Sequence, residues 1–251
     1  MQLDHAVLLV AGGVGSGLTG SMAGLASLIS YPVLLAVGLP PIAANVTNSV
    51  GLLASGAGSA LGSRRELRGQ GARILRQSVF ALLGGTTGAV LLMNTTSSVF
   101  ERIVPALIAL AAAVLLLRDR LRGWYTRPKG RFAQPPLGLA VFLIGIYGGY
   151  FGAAAGVLML AVLSMSIVEP LAVTNAVKSI VLCGANFAAA ILYAVIAPVH
   201  WTAALLLGAG CLVGSWIGPA LVRRIPERPL RIVIAVAALG LAAYLWHDAV
   251  T

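Results

Sequence analysis

The feature that most constrains this chain is the absence of any Asp, Glu, Lys or Arg between Ala6 and Ser63. A helix crosses the hydrocarbon core of a bilayer with about 20 apolar residues, so this stretch alone can supply more than one crossing. The whole chain has 251 residues, of which 59% are hydrophobic and 10% charged. A soluble domain of this length could not bury so much apolar surface. The sequence therefore predicts an all-α, polytopic membrane protein.

Charged residues and clusters of Pro and Gly divide the chain into eight candidate spans. We place them at about residues 6–30, 41–62, 74–94, 100–117, 136–165, 170–196, 201–222 and 230–247. The first and fifth spans are long for one crossing, so each is expected to tilt or to break. In the first span we expect the interruption near Tyr31-Pro32.

The distribution of positive charge predicts the orientation of these spans. With eight crossings the two termini share one side of the membrane, together with the loops after the second and fourth spans. Those two loops carry eleven Lys and Arg residues, whereas the opposite side carries five: Arg102, Arg223, Arg224, Arg228 and Arg231. The positive-inside rule then predicts a multi-pass cell-membrane protein with both termini in the cytoplasm. No aromatic residues interleave with the basic ones as a stacking platform, so the expected partner of this charge is anionic lipid, not nucleic acid.

The two halves of the chain resemble each other at an offset near 130 residues. The matching segments are NVTNS (45–49) with NAVKS (175–179), GSMAG (20–24) with GAAAG (152–156), and GGTTG (84–88) with GSWIG (214–218). The sequence therefore predicts a first four-helix repeat at 1–120, a basic Pro-containing linker at 121–136 and a second four-helix repeat at 137–251. Halves with an even number of spans are expected to be parallel and to hold a substrate site at their interface.

The glycines of the first and fifth spans are the first group of candidate site residues. Glycines spaced G-x-x-x-G commonly mark close helix packing, and we favour that interpretation for the third and seventh spans. In the first and fifth spans, unwound backbone could in addition present N–H groups to an anion. We expect these glycines to face one another near the pseudo-axis: Gly20, Gly24, Gly152 and Gly156.

A second group of candidates is polar and lies on matching faces of the second and sixth spans. Asn45 and Asn48 are three residues apart, so they share a helix face, and Asn175 and Lys178 have the same spacing. One serine follows each pair, namely Ser49 or Ser179. Interhelical hydrogen bonding would explain a single Asn, but it explains less well two related faces of which one carries a cation.

Lys178 is the only Asp, Glu, Lys or Arg between Glu169 and Arg223. An unpartnered ammonium at that depth costs at least about 2.5 kcal/mol, and no other span offers a central carboxylate to pair with it. A snorkelling or structural lysine is one explanation. The favoured one is that the cargo is the counter-ion, so that removal of the charge would leave the fold intact. Together with the amides, Lys178 then describes a pocket for a small oxyanion.

Several classes of chemistry lack their residues in this sequence. The three histidines sit near segment ends, no His, Asp and Glu cluster resembles a metal or protease site, and no Walker loop is present. An enzyme acting on lipid would need a nucleophile beside a base, and no suitable base is placed. The sequence therefore predicts a protein that is not an enzyme and that uses no cofactor or metal.

The residues described above resemble the TauE/SafE sulfite exporter family. The resemblance rests on the duplicated four-span layout, the glycine-rich first and fifth spans, and the segment PPIAANVTNSVGLL (40–53). Residues 38–44 are similar to the family pattern G-x-x-P-x-x-A, and EPLAVTNAVKSIV (169–181) resembles its x-x-N-A-x-K stretch. The resemblance implies a transporter of sulfite, sulfoacetate or related organosulfonates. An anion channel, or a carrier of another small carboxylate or oxyanion, remains the alternative, and a homodimer is left open.

Overall fold

The computed structural model describes residues 3–125, 137–166, 169–222 and 227–250. All regular secondary structure in these ranges is helical, which confirms the all-α prediction. The helices are α1 Leu3–Ala23, α2 Ser27–Ala36, α3 Pro41–Gly51, α4 Leu53–Gly62, α5 Gly71–Met93, α6 Ser97–Tyr125, α7 Leu137–Tyr150, α8 Ala155–Ser166, α9 Leu171–Ile196, α10 Trp201–Val222 and α11 Glu227–Val250.

Three of the eight predicted spans are each divided into two helices. The first becomes α1 and α2, the second α3 and α4, and the fifth α7 and α8. Five helices in the described ranges are long and apolar enough to cross a membrane by themselves: α1, α5, residues 97–117 of α6, α9, and residues 201–221 of α10. Helix α6 continues to Tyr125, into the predicted linker, and residues 126–136 lie outside the described ranges, as do 223–226 of the basic cluster.

The break in the first span lies at Gly24, not at Tyr31-Pro32 as the sequence suggested. Pro32 is accommodated inside α2. Gly24 instead ends α1 with a φ of +76°, and its N–H donates to Gly20 O at 2.9 Å. This geometry is a left-handed helix C-cap, a conformation that glycine adopts without the steric penalty of a β-carbon. The chain therefore turns at the glycine and not at the proline.

The break in the fifth span has a related design. Helix α7 ends at Tyr150, Gly152 has a φ of +77°, and its N–H donates to Tyr147 O at 3.0 Å. The hydroxyl of Tyr147 donates to Ala153 O at 2.6 Å, which holds the non-helical segment against α7. Ala154 also has a positive φ, at 57°. The interruption is thus longer than in the first span, and α8 begins only at Ala155.

Helices from the two halves of the chain pack directly against one another. Helix α1 packs along α10, α5 along α7, α4 along α10, α5 along α9, and α6 along α11. Glycine allows the first two pairs to approach with their backbones in contact: a β-carbon on Gly84 or Gly88 would overlap the carbonyl oxygen of Phe142 or Ile146. In the pair formed by α1 and α10, a β-carbon on Gly214 would overlap Val14 O. The helix-packing interpretation of these glycines is confirmed.

Candidate functional site

A cavity of about 70 Å³ lies where the first and fifth spans meet α3, α4 and α9. These two spans, which are interrupted at Gly24 and Gly152, are called the two broken spans. That volume accommodates a few water molecules or a small anion. Seven of the ten candidate residues line it: Gly20, Gly24, Ser49, Gly152, Gly156, Lys178 and Ser179. The three asparagines do not line the cavity, and they lie in the shell of side chains that supports it.

Asn175 and Lys178 bind the end of the broken helix α1. The Asn175 amide nitrogen donates to Ser21 O at 2.6 Å, and the Lys178 ammonium donates to Gly20 O at 3.2 Å. The same ammonium donates to the Asn175 amide oxygen at 2.7 Å. Lys178 is completely buried. The two side chains therefore form one hydrogen-bonded unit that joins α9 to α1.

Asn45 and Asn48 make the corresponding contacts from α3, but to different elements. Asn45 donates to Tyr150 O, the last residue of α7, at 2.8 Å. Asn48 donates to Ser27 Oγ at 3.2 Å, at the start of α2. The amide oxygens of both asparagines are buried and have no hydrogen-bond partner among the described residues. The pair thus supports both breaks, and it leaves two acceptors unused.

These contacts have a common physical reason. The last carbonyl groups of a helix lack partners inside the helix and carry the negative end of its dipole. Where a helix ends inside a membrane, water cannot satisfy them, so neighbouring side chains must do so. Asn175 and Lys178 do this for α1, and Asn45 does it for α7. Each break is thereby capped by a polar side chain from the other half of the chain.

Lys178 therefore has hydrogen-bond partners inside the protein without any bound cargo. Its ammonium donates to two neutral oxygens, Gly20 O near the end of α1 and the side-chain oxygen of Asn175 on α9. Removing it would take this donor from the Asn175 amide oxygen, which is unfavourable inside the protein, whereas Gly20 O would keep its bond from the Gly24 N–H. The sequence suggested that Lys178→Ala would leave the stability unchanged. From these contacts we expect a moderate loss of stability instead. Glu169, the carboxylate nearest in sequence, pairs with Arg73 at 3.7 Å.

The four candidate glycines occupy different environments. Gly24 and Gly156 are in direct contact, because a β-carbon on Gly24 would lie 2.5 Å from the Gly156 backbone. Gly20 is closest to Ala26, and Gly152 is closest to Gly148 of its own span. The N–H groups of Gly24 and Gly152 both donate to carbonyl groups of the helix that they terminate. These two N–H groups are therefore engaged, and an anion would have to bind other donors.

The cavity also has polar walls that the sequence did not predict. They are formed by Ser27, Ser55, Ser59, Cys183 and Asn186. Continuing the three- and four-residue spacing from Lys178 along α9 leads to Leu182, Cys183 and Asn186, so this extension could have been found from helical periodicity. The same spacing continued from Asn48 leads to Leu52, Ser55 and Ser59, so the serines of α4 carried this signal as well.

Two short helices begin at the cavity. Ser27 is the first residue of α2 and Ala155 is the first residue of α8, and both line the cavity. The start of a helix carries the positive end of the helix dipole. Together with the Lys178 ammonium, these helix starts make the lining favourable to an anion.

Comparison with known proteins identifies the class of this chain. The family model described as Sulfite exporter TauE/SafE matches residues 9–245. A probable membrane transporter protein, YfcA, of Escherichia coli (strain K12) is 25% identical over 236 residues, covering 93% of this chain and 86% of the relative. A probable membrane transporter protein of Haemophilus influenzae is 25% identical over 253 residues, covering 98% and 96%. A third, ORF9 of Sinorhizobium sp, is 27% identical over 238 residues, covering 93% and 89%. No solved structure matches the chain.

The family and these relatives are membrane transporters, so this helical chain is a multi-pass membrane transporter and not an enzyme. It belongs to the sulfite exporter TauE/SafE family.

Proposed function

We propose that this transporter moves small sulfur-containing anions, such as sulfite, sulfoacetate or related organosulfonates, through the cavity between the two halves of the chain. The observation that carries the proposal is the completely buried Lys178 on the cavity wall, in a lining that contains no Asp or Glu among the described residues. A buried positive charge on the wall of a cavity raises the local electrostatic potential and so favours an anionic occupant.

The lining favours an anion that is small and rich in oxygen acceptors. Serine hydroxyls on α3, α4 and α9 make the lining polar, and the starts of α2 and α8 supply positive potential. The cavity is only about 70 Å³, which suits a small ion. Carboxylates share these acceptor properties, so the preference for sulfur anions rests on the family and not on the cavity alone.

The proposed fold is that of two related four-span repeats, residues 1–120 and 137–251, with eight crossings. The contacts between α1 and α10 and between α5 and α7 support it, because each joins the first span of one half to the third span of the other. The reciprocal capping of the two breaks supports it as well. We also propose cytoplasmic termini, on the basis of the charge distribution. The homodimer that the sequence left open finds no support in these contacts, so the proposed site is built within one chain.

Flux measurements on proteoliposomes test this proposal. The purified transporter is assayed with sulfite, sulfate, sulfoacetate, taurine and acetate, with and without the same anion on the opposite side. A carrier of sulfur anions saturates with sulfite or a sulfonate and is accelerated by anion on the opposite side. Faster flux of acetate than of every sulfur anion would contradict the substrate class, and flux without acceleration would indicate a channel.

Variants of Lys178 separate its charge from its structural role. Lys178→Met removes the ammonium at similar length, and we expect sulfite flux to fall at least about tenfold because one charge-assisted hydrogen bond contributes about 1.5–3 kcal/mol. Asn175→Leu is the matched control, since it disrupts the same helix cap but retains the cation. Equal losses of flux in the two variants would mean that Lys178 acts only by supporting α1.

A further inference from the structure

A second and larger cavity lies on the outer side of the molecule, between the beginning of α5 and the beginning of α7. It has a volume of about 530 Å³, and its principal walls are Arg76, Gln77, Phe80, Leu83, Leu139 and Phe142. Leu83 is 52% exposed and Leu139 is 47% exposed, so this groove opens on the surface that the membrane surrounds. It is separate from the central cavity, with which it shares no lining residue.

One end of this groove is polar, and its polar groups are not used inside the protein. Arg76 is exposed, and it has no ion-pair partner among the described residues, in contrast to Arg73 one turn earlier, which pairs with Glu169. Gln77 is only 4% exposed, and its side-chain oxygen has no hydrogen-bond partner among the described residues. A buried amide oxygen without a donor is unfavourable unless a ligand supplies one.

The related helix pair in the other half lacks these polar residues. Matching Gly84 with Gly214 places Leu206 and Leu207 of α10 opposite Arg76 and Gln77 of α5. Leu207 is completely buried, and the α1 backbone packs against it at Gly13. The packing of two glycine-rich helices therefore does not require an arginine and a glutamine at these positions. Their presence in one half points to a ligand bound on that half alone.

We propose that this groove binds one anionic phospholipid of the phosphatidylglycerol type. Its acyl chain lies on Phe80, Leu83 and Phe142, its phosphate is bound by Arg76, and a headgroup hydroxyl donates to the Gln77 side-chain oxygen. The polar end belongs to the basic side of the molecule, where an anionic leaflet attracts Lys and Arg. The apolar walls alone would accept any acyl chain, so the arginine and the unpaired amide select the headgroup.

Native mass spectrometry of the purified full-length transporter tests the proposal. The protein is mixed with equal amounts of phosphatidylglycerol and phosphatidylcholine, and the ratio of the two bound lipids is measured. We expect preference for phosphatidylglycerol in the wild type and about a fivefold smaller preference in Arg76→Gln, since one Arg near anionic lipid contributes about that factor. Arg102→Gln, which removes an equally exposed charge far from the groove in sequence, should retain the preference.

A groove-filling variant tests the acyl-chain part independently. Leu83→Trp places a larger side chain in the groove at a half-exposed position and changes no charge, so it should displace the tightly bound lipid. An unchanged lipid ratio in Arg76→Gln, or undiminished binding in Leu83→Trp, would overturn the proposal. Competition by soluble glycerol 1-phosphate as effective as that by phosphatidylglycerol would also overturn it, because the site would then recognise a free phosphate and not a lipid.

Discussion

The two broken spans of this transporter have the same kind of interruption, but they are capped differently. The end of α1 is bound by an amide and an ammonium, from Asn175 and Lys178. The end of α7 is bound by one amide, from Asn45, while Asn48 turns to Ser27 at the start of α2. Either cap satisfies carbonyl groups that water cannot reach, so charge is not required for capping.

This difference shows that a helix end in this fold can be capped without a charged side chain. An asparagine at position 178 could have repeated the neutral arrangement found on α3, without the cost of burying an ammonium. The lysine therefore supplies a property that the neutral pair does not, namely a positive potential on one wall of the cavity. The predictions below test whether the two breaks differ in stability and in function as this comparison requires, starting from the largest expected effect.

The largest difference is expected between Gly24 and Gly152, which have the same backbone conformation in different surroundings. Gly24→Ala combines an unfavourable φ with overlap of the Gly156 backbone, and we expect a loss of more than about 3 kcal/mol, seen as failure to yield monodisperse protein. Gly152→Ala meets only Gly148 O, at 2.9 Å, and should cost about 1–2 kcal/mol.

Two control glycines separate strain from overlap. Gly38 has a φ of +88° and open space around it, so Gly38→Ala reports the backbone term alone. Gly240 lies inside α11 with nothing near it, so Gly240→Ala should be neutral or slightly stabilising. Thermal unfolding in detergent measures all four variants. Equal destabilisation by Gly24→Ala and Gly38→Ala would mean that the Gly24–Gly156 contact contributes nothing.

A smaller difference is expected between the two capping asparagines. Asn45→Leu removes one hydrogen bond to Tyr150 O and should cost about 0.5–1 kcal/mol, a usual value within membranes. Asn175→Leu removes the bond to Ser21 O and also an acceptor of the Lys178 ammonium, so we expect about twice that loss. The free energy of unfolding in detergent provides the measurement.

The control for this comparison is Asn94→Leu. Asn94 donates to Val90 O within its own helix in an exposed position, so its loss should change the free energy of unfolding by less than about 0.5 kcal/mol. If Asn45→Leu proved as destabilising as Asn175→Leu, the hydrogen bond between Asn175 and Lys178 would contribute nothing to the stability of the folded state.

The smallest effects are expected at the two serines that line the cavity. Ser49 and Ser179 each donate to the carbonyl oxygen four residues earlier, at 3.1 Å, so replacement by Ala should change stability by no more than about 0.5 kcal/mol. Sulfite flux should fall by a few-fold in Ser179→Ala and less in Ser49→Ala, because only Ser179 adjoins the charged wall. Equal fluxes in the two variants would argue against an asymmetric anion site.

Much of the architecture could be predicted from the sequence because membrane helices are recognised by their long charge-free runs. The related Asn-x-x-Asn and Asn-x-x-Lys faces identified Asn45, Asn48, Asn175 and Lys178 as a group. Their contacts could not be predicted, since Asn45, Asn175 and Lys178 each bond to a backbone carbonyl more than a hundred residues away. The break at Gly24 was assigned instead to Pro32, because a proline is a strong helix breaker in sequence and a glycine is a weaker one.

The sequence by itself determined the membrane class, the approximate spans, the family, and the presence of one cation among uncharged segments. These depend on composition and local periodicity, which every stretch of chain carries with it. Only the tertiary structure decided that Lys178 caps the end of α1 while lining the cavity, and that Asn45, Asn48 and Asn175 support the cavity without lining it. The physical reason is that helix ends create unsatisfied carbonyl groups inside a bilayer, and which side chains satisfy them depends on which helices pack together.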